Sequence, residues 1–206
     1  ADRFDLRRNY RFGTEVVRLE PLPGAGWEVT SRGPEGERVE RFAGVLVANG
    51  TLSEPNVPTF AGDFTGELLH TSAYKHPEIF AGKRVLVVGA GNSGCDIAVD
   101  AVHHADAVDL SVRRGYHFVP KYVFGKPADT LNQGRPLPAR IKQAIDTRVL
   151  RLFTGAPTRF GFPEPDHKIY ESHPVVNSLI LHHAGHGDVA VRADVGRFDG
   201  RTVQFV

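Results

Sequence analysis

Val85-Leu86-Val87-Val88-Gly89-Ala90-Gly91-Asn92-Ser93-Gly94-Cys95-Asp96-Ile97-Ala98 reads as a buried strand, a glycine turn and a helix start. Four consecutive apolar residues suit a central parallel strand covered on both faces. Gly89 permits the tight turn. Gly91 lets backbone approach a diphosphate with no Cβ in the way, and Gly94 lets the helix lie close against the strand. Small residues at Gly94, Ala98, Ala101 and Ala105 give that helix one face for a sheet. Its unpaired amides and positive dipole end are a phosphate site, so Gly89, Gly91, Asn92, Ser93 and Gly94 are the candidate diphosphate residues.

The following strand selects the nucleotide. Ala107-Val108-Asp109-Leu110-Ser111-Val112 ends at Arg113-Arg114-Gly115 and not at an acidic residue. A carboxylate there would accept from the ribose 2′-hydroxyl of NAD, whereas a guanidinium pairs with the 2′-phosphate of NADP. Arg113 and Arg114 therefore favour NADP(H), and the fold class is α/β with a Rossmann-like parallel sheet.

Outward from this unit, the N-terminal part is β-like. Phe12 to Leu19, Trp27-Glu28-Val29-Thr30 and Val39-Glu40-Arg41-Phe42, with a turn at Gly33-Pro34-Glu35-Gly36, predict a short antiparallel meander. Gly44-Val45-Leu46-Val47-Ala48-Asn49-Gly50 predicts a buried strand, and Ser53-Glu54-Pro55-Asn56-Val57-Pro58 a linker. Some fifty residues of sheet without a helix to cover them read as the trailing β-rich portion of a larger domain.

Composition narrows the function classes. In 206 residues, 25 basic side chains face 24 acidic ones, which argues against a nucleic-acid or membrane-surface partner. No apolar run is long enough to span a bilayer and no signal peptide is visible. The single Cys95 excludes an internal disulfide or a dithiol pair and fits a reducing cytoplasm; beside the last fingerprint glycine it reads as a packing residue. There is no methionine even at position 1, the mark of a processed or excised chain.

Phe64-Thr65-Gly66-Glu67-Leu68-Leu69-His70-Thr71-Ser72-Ala73-Tyr74 matches F-x-G-x-x-x-H-x-x-x-Y/F at every fixed position. Placed just ahead of the glycine fingerprint, it resembles the identifying motif of the flavin-containing monooxygenases, and Asn49 to Pro55 is similar to that family's inter-domain linker. The resemblance implies residues 1–58 as part of a FAD domain, 59–82 as the motif-bearing linker and 83–206 as the NADPH domain. It further implies oxygenation of a small-molecule substrate through a flavin hydroperoxide, with NADPH and FAD as cofactors. Related Baeyer–Villiger enzymes, which act on ketones, carry Trp at the last motif position. Tyr74 thus favours the branch acting on soft nitrogen or sulfur. His70 is implied to couple the domains, or else its ring simply bonds to a linker carbonyl.

The chain departs from the family in one respect. No glycine fingerprint precedes Phe64, and Gly24-Ala25-Gly26 runs into a strand instead of a helix. The family's closing Ala-Thr-Gly strand does not follow. The expectation is a chain that binds NADPH and needs the missing FAD-domain segments for catalysis; a non-catalytic NADPH-binding module is the non-enzyme alternative.

Farther on, Phe118 to Phe124 predicts packing under the sheet. Ala139 to Phe153 has Ile141, Ile145, Val149 and Leu152 at helical spacing with basic residues elsewhere; such a helix can lie on a membrane, as the resemblance implies for some eukaryotic members of the family, but here the stripe is expected to face the core. His182, His183 and His186 fall on a helix expected from near Pro174 and read as a solvated helix end, not a metal site. Asp188 to Arg192 and Thr202 to Val206 predict a hairpin around Asp199-Gly200.

Overall fold

The computed structural model describes residues 2–50, 54–123, 125–128 and 138–206. The chain divides into two compact units, Ala1–Glu54 and Pro55–Val206.

The first unit is the expected meander. β1 (Glu15–Pro21), β2 (Trp27–Gly33) and β3 (Gly36–Phe42) form an antiparallel sheet in that order. Gly33 opposes Gly36 across the Pro34-Glu35 turn, and the Arg11 guanidinium binds both Glu40 carboxylate oxygens. Residues 44–50, expected as a buried strand, are irregular, with Leu46 96% and Val47 72% exposed. Among the described residues no strand lies beside this run to take up its ladder, and an apolar segment without a partner stays extended in solvent.

In the second unit, β4 (Arg84–Val88), α1 (Asn92–Val102) and β5 (Ala107–Ser111) make a strand-helix-strand unit with parallel strands. Short strands β6 (Phe118–Val119), β7 (Tyr122–Val123) and β8 (Lys126–Pro127) precede α2 (Ala139–Thr154). β9 (Val175–Val176), α3 (Ile180–His186), β10 (Val189–Arg192), β11 (Val195–Asp199) and β12 (Thr202–Phe205) complete the unit. The parallel sheet has the order β10-β5-β4. Its central strand is β5, with Val108 and Leu110 buried. β4, expected at the centre, is an edge strand among the described residues and leaves Val88 42% exposed. Against this sheet α1 buries Cys95, Ala98 and Ala101 completely, with Ala105 partly buried beside them. Phe118, Phe162, Ile180 and Leu181 close the core from the other elements. Phe118 packs as expected, its ring 4.7 Å from that of Phe162; Phe124 lies outside the described residues.

Three further expectations are corrected. β10 does not pair with β12. It runs parallel to β5, while β12 pairs with β11. The two-residue loop Gly200-Arg201 makes its flanking residues, Asp199 and Thr202, direct partners, which leaves β10 to fill the edge of β5. Next, α3 begins at Ile180 and not near Pro174, because Val175–Val176 pairs with β6. The Asn177 carboxamide oxygen then accepts from the Leu179 and Ile180 amides, each at 2.8 Å, and sets the helix start. Finally, α2 turns its apolar stripe to solvent: Ile141 is 52%, Ile145 46%, Val149 39% and Leu152 83% exposed. Polar side chains of the same helix are tied to the rest of the unit. Gln143 donates to the Ile169 carbonyl at 3.1 Å, and Lys142 and Tyr170 both bind the Asp146 carboxylate.

Candidate dinucleotide-binding site

β4 runs into Gly89, whose φ of +101° belongs to glycine, and the Gly89 amide donates to the Ser111 carbonyl at 2.9 Å. Two residues later Gly91 is the N-cap of α1 in extended conformation, and a Cβ built on it meets nothing within 4 Å. Space in front of the loop is open. Gly94 is the opposite case. A Cβ there would lie 2.0 Å from the Gly89 carbonyl oxygen and 3.5 Å from a Val87 methyl, so turn and helix interlock only around glycine. The first hydrogen bond of the helix runs from the Cys95 amide to the Gly91 carbonyl. Among the described residues the Asn92, Ser93 and Gly94 amides have no backbone acceptor, and the first turn carries no acidic residue to compete with an anion.

The Asn92 side chain itself is engaged. Its Oδ1 accepts from the Val176 amide at 2.7 Å, so Asn92 offers an anion its backbone N–H. A turn further on, Asn177 Nδ2 donates to Asp96 Oδ1 at 2.8 Å. Asn177, 5% exposed, thus ties α1 to the start of α3. The sequence reading missed it, although an asparagine just before the apolar run Leu179 to Leu181 has the pattern of a helix cap. Beside it, burial and then Asp96 push the Cys95 thiol up to about 12, which matches a packing role.

The linker motif fastens the other end of α1. The Tyr74 hydroxyl donates to the Asp100 carboxylate while its ring stacks on Phe80, centroids 5.4 Å apart at 10°. Burial, then Asp100, pushes this phenol up to about 12. Phe64 packs 5.1 Å from Phe198, and its ring fills the space a Cβ would need on Gly66. His70 binds an amide and a hydroxyl instead of the expected linker carbonyl, because it caps the short turn Thr71–Ala73: Nδ1 lies 3.1 Å from the Ser72 amide and 2.9 Å from its hydroxyl. All three motif side chains are therefore used within the fold.

Arg113 and Arg114 leave the C-terminal end of β5, next to the loop at the end of β4, where Val88 pairs with Ser111. Both are exposed. The segment is anchored on either side, by buried Val112 and by Gly115, which lies so close to the Pro163 and Glu164 backbone that a Cβ would come within 2.4 Å. Arg114 sits over the Tyr116 ring at 5.6 Å. Its charge also helps hold the Asp166 carboxyl below the usual carboxylate range, behind the larger effect of the His167 hydrogen bond. Among the described residues Arg113 has no ion-pair or hydrogen-bond partner, and it is exposed.

The remaining histidines build no metal centre. His183, expected with its neighbours at a solvated helix end, is instead buried, because its ring turns in to share a 2.9 Å hydrogen bond with Asp188, holding that carboxyl below its ordinary range. Among the described residues no group of three or more His, Cys, Asp or Glu is placed to hold a metal.

A glycine-cradled helix start beside a guanidinium, preceded by the linker motif, is matched by a family model described as flavin-binding monooxygenase-like over residues 1–205. The chain belongs to that family. It is 31% identical over its whole length to the probable indole-3-pyruvate monooxygenase YUCCA9 of Arabidopsis thaliana, covering 51% of that protein. Against human flavin-containing monooxygenase 5 it is 30% identical over 96% of its length and 40% of the relative's. It therefore spans about half, or less, of these curated relatives. An open cyclohexanone monooxygenase structure shares the fold, with a TM-score of 0.67 at 22% identity, over 98% of this chain and 52% of that one. A steroid monooxygenase solved with NADP aligns with a TM-score of 0.63 at 23% identity, over 99% of this chain and 51% of the other.

The two cofactors of the family fit this chain differently. For NADP(H) the residues suit: open space at Gly91, free first-turn amides and an unengaged Arg113. For the diphosphate of FAD, the glycine-rich turn Gly24-Ala25-Gly26 gives no comparable helix start. It leads into β2, and a Cβ at Gly26 would lie 2.8 Å from the Phe42 carbonyl oxygen, so Gly26 is packed against strand backbone. Among the described residues, no helix is long and apolar enough to cross a membrane.

Proposed function

We propose that the chain is the NADPH-holding portion of a flavin-dependent monooxygenase. Residues 83–206 would form the nucleotide domain, 59–82 its linker and 1–58 a share of the flavin domain, with the flavin's diphosphate contacts supplied by residues outside this chain. The carrying observation is the pairing of an open glycine-capped helix start with the unpartnered Arg113 at the end of the adjacent strand. Bound NADPH supplies a hydride. The chain's part is to hold the diphosphate on the Asn92, Ser93 and Gly94 amides and the 2′-phosphate on Arg113, with Arg114 as a second, partly engaged cation. Asn177 and the Tyr74–Asp100 bond keep α1 rigid while the nucleotide is held.

The proposed substrates are soft nitrogen or sulfur nucleophiles, in keeping with Tyr74 at the last motif position. Oxygen uptake by the protein carrying this chain, compared across a thioether, a tertiary amine, a cyclic ketone and a 2-oxo acid, separates this class from ketone or oxo-acid oxidation.

Nucleotide choice is tested on the chain itself. Arg113→Ala should weaken NADPH binding roughly 10- to 100-fold in calorimetry, the loss expected for one charge-assisted pair. NADH affinity should change less than about twofold, because it lacks the phosphate that Arg113 would meet. Equal affinity of the unmodified chain for both nucleotides would refute the assignment.

A further inference from the structure

We propose that Asp166 is a specificity-determining residue: its carboxylate competes with the nucleotide's 2′-phosphate for Arg114 and so limits the preference for NADPH over NADH. This rests on the reading of Arg113 and Arg114 as the 2′-phosphate cations and adds an opposing charge to that corner.

Two stretches far apart in sequence run side by side there. Gly115 packs on the Pro163 and Glu164 backbone with no room for a Cβ. Two residues on, His117 Nε2 lies 2.8 Å from the His167 carbonyl oxygen, and the two imidazoles meet edge to face with centroids 5.3 Å apart. Residues 114–117 are thus held against 163–167, which puts Arg114 and Asp166 on the same edge of the second unit. The carboxylate is fixed in place. Its Oδ1 lies 2.6 Å from Nδ1 of the partly buried His167, which donates to it, while the rest of Asp166 is exposed. Its neighbour Glu164 is already taken by Arg151 at 2.9 Å, so the acid that meets Arg114 is Asp166.

A carboxylate beside a guanidinium offsets part of the cation's pull on a phosphate dianion. NADH carries a neutral hydroxyl at this position and feels little of that offset, so the charge changes the ratio of the two affinities. The basic groove of α2, lined by Arg140, Arg148, Arg151 and Lys168, behaves differently. It attracts the diphosphate that both nucleotides share, so a change of charge acting there would move both affinities alike.

Calorimetry on the full chain with each nucleotide tests this. Asp166→Asn, which keeps an oxygen for His167 at an exposed position, should tighten NADPH binding roughly three- to fivefold, the scale of one exposed charge pair. NADH affinity should stay within about 1.5-fold, and the gain should fade as salt rises. In an Arg114→Ala background the same exchange should gain less than about 1.5-fold, since the cation competed for is gone. An unmoved NADPH affinity, an equal gain for both nucleotides, or a full gain without Arg114 each overturns the proposal. The reading beneath it fails separately: Arg113→Ala would then leave NADPH affinity unchanged, whereas a loss on Arg113→Ala with no response to Asp166→Asn rejects the competition alone.

Discussion

Gly94→Ala should destabilise the second unit by about 3 kcal/mol, the upper range for overpacking, and lower its melting temperature by roughly 10 °C. The added methyl would sit 2.0 Å from the Gly89 carbonyl oxygen, and that oxygen is backbone that no side-chain rotation can clear. Relief requires α1 to move off the sheet, where Cys95, Ala98 and Ala101 are packed without residual exposure. Thermal melts followed by circular dichroism measure this directly. A melting temperature within about 2 °C of the parent would mean that the turn and helix are not interlocked as described.

Gly91→Val should do the reverse, leaving the fold nearly intact and abolishing nucleotide binding. At φ −75° and ψ 178° the position accepts any residue, and its Cβ points into open space. Exchanging a glycine cap for valine costs under about 1 kcal/mol. The isopropyl group nevertheless occupies the approach of the diphosphate, so NADPH affinity should fall at least about 100-fold. Retained NADPH affinity in a folded Gly91→Val chain would remove the loop from the site. Together the two glycines separate packing from binding within one motif.

What could be read in the sequence was what adjacent residues decide. The β4-turn-α1 unit, the meander and the extent of α2 follow from short-range periodicity and glycine spacing, and the Arg113-Arg114 pair follows from its place just beyond a strand. Pairings across long separations left no such trace. β10 joins β5 across about eighty residues, and a parallel partner has no turn to announce it, so Val189–Arg192 looked like half of a hairpin. The same holds for Asn177 against Asp96 and Tyr74 against Asp100. The face of α2 was misjudged for a related reason. Periodicity locates an apolar stripe but not the direction it faces. The run at residues 44–50 shows that an apolar β-prone segment makes a strand only where another strand lies beside it.

The central claim, that the glycine loop holds the nucleotide's diphosphate, is tested most directly by titrating NADPH into the 15N-labelled chain and following each amide by NMR. The largest shifts should fall on Gly91, Asn92, Ser93 and Gly94 and on the Arg113 side-chain N–H, all saturating at one concentration. If those signals stay fixed while resonances of Arg140, Arg148 and Arg151 move, the nucleotide is only an anion attracted to the basic groove of α2, and the account is wrong.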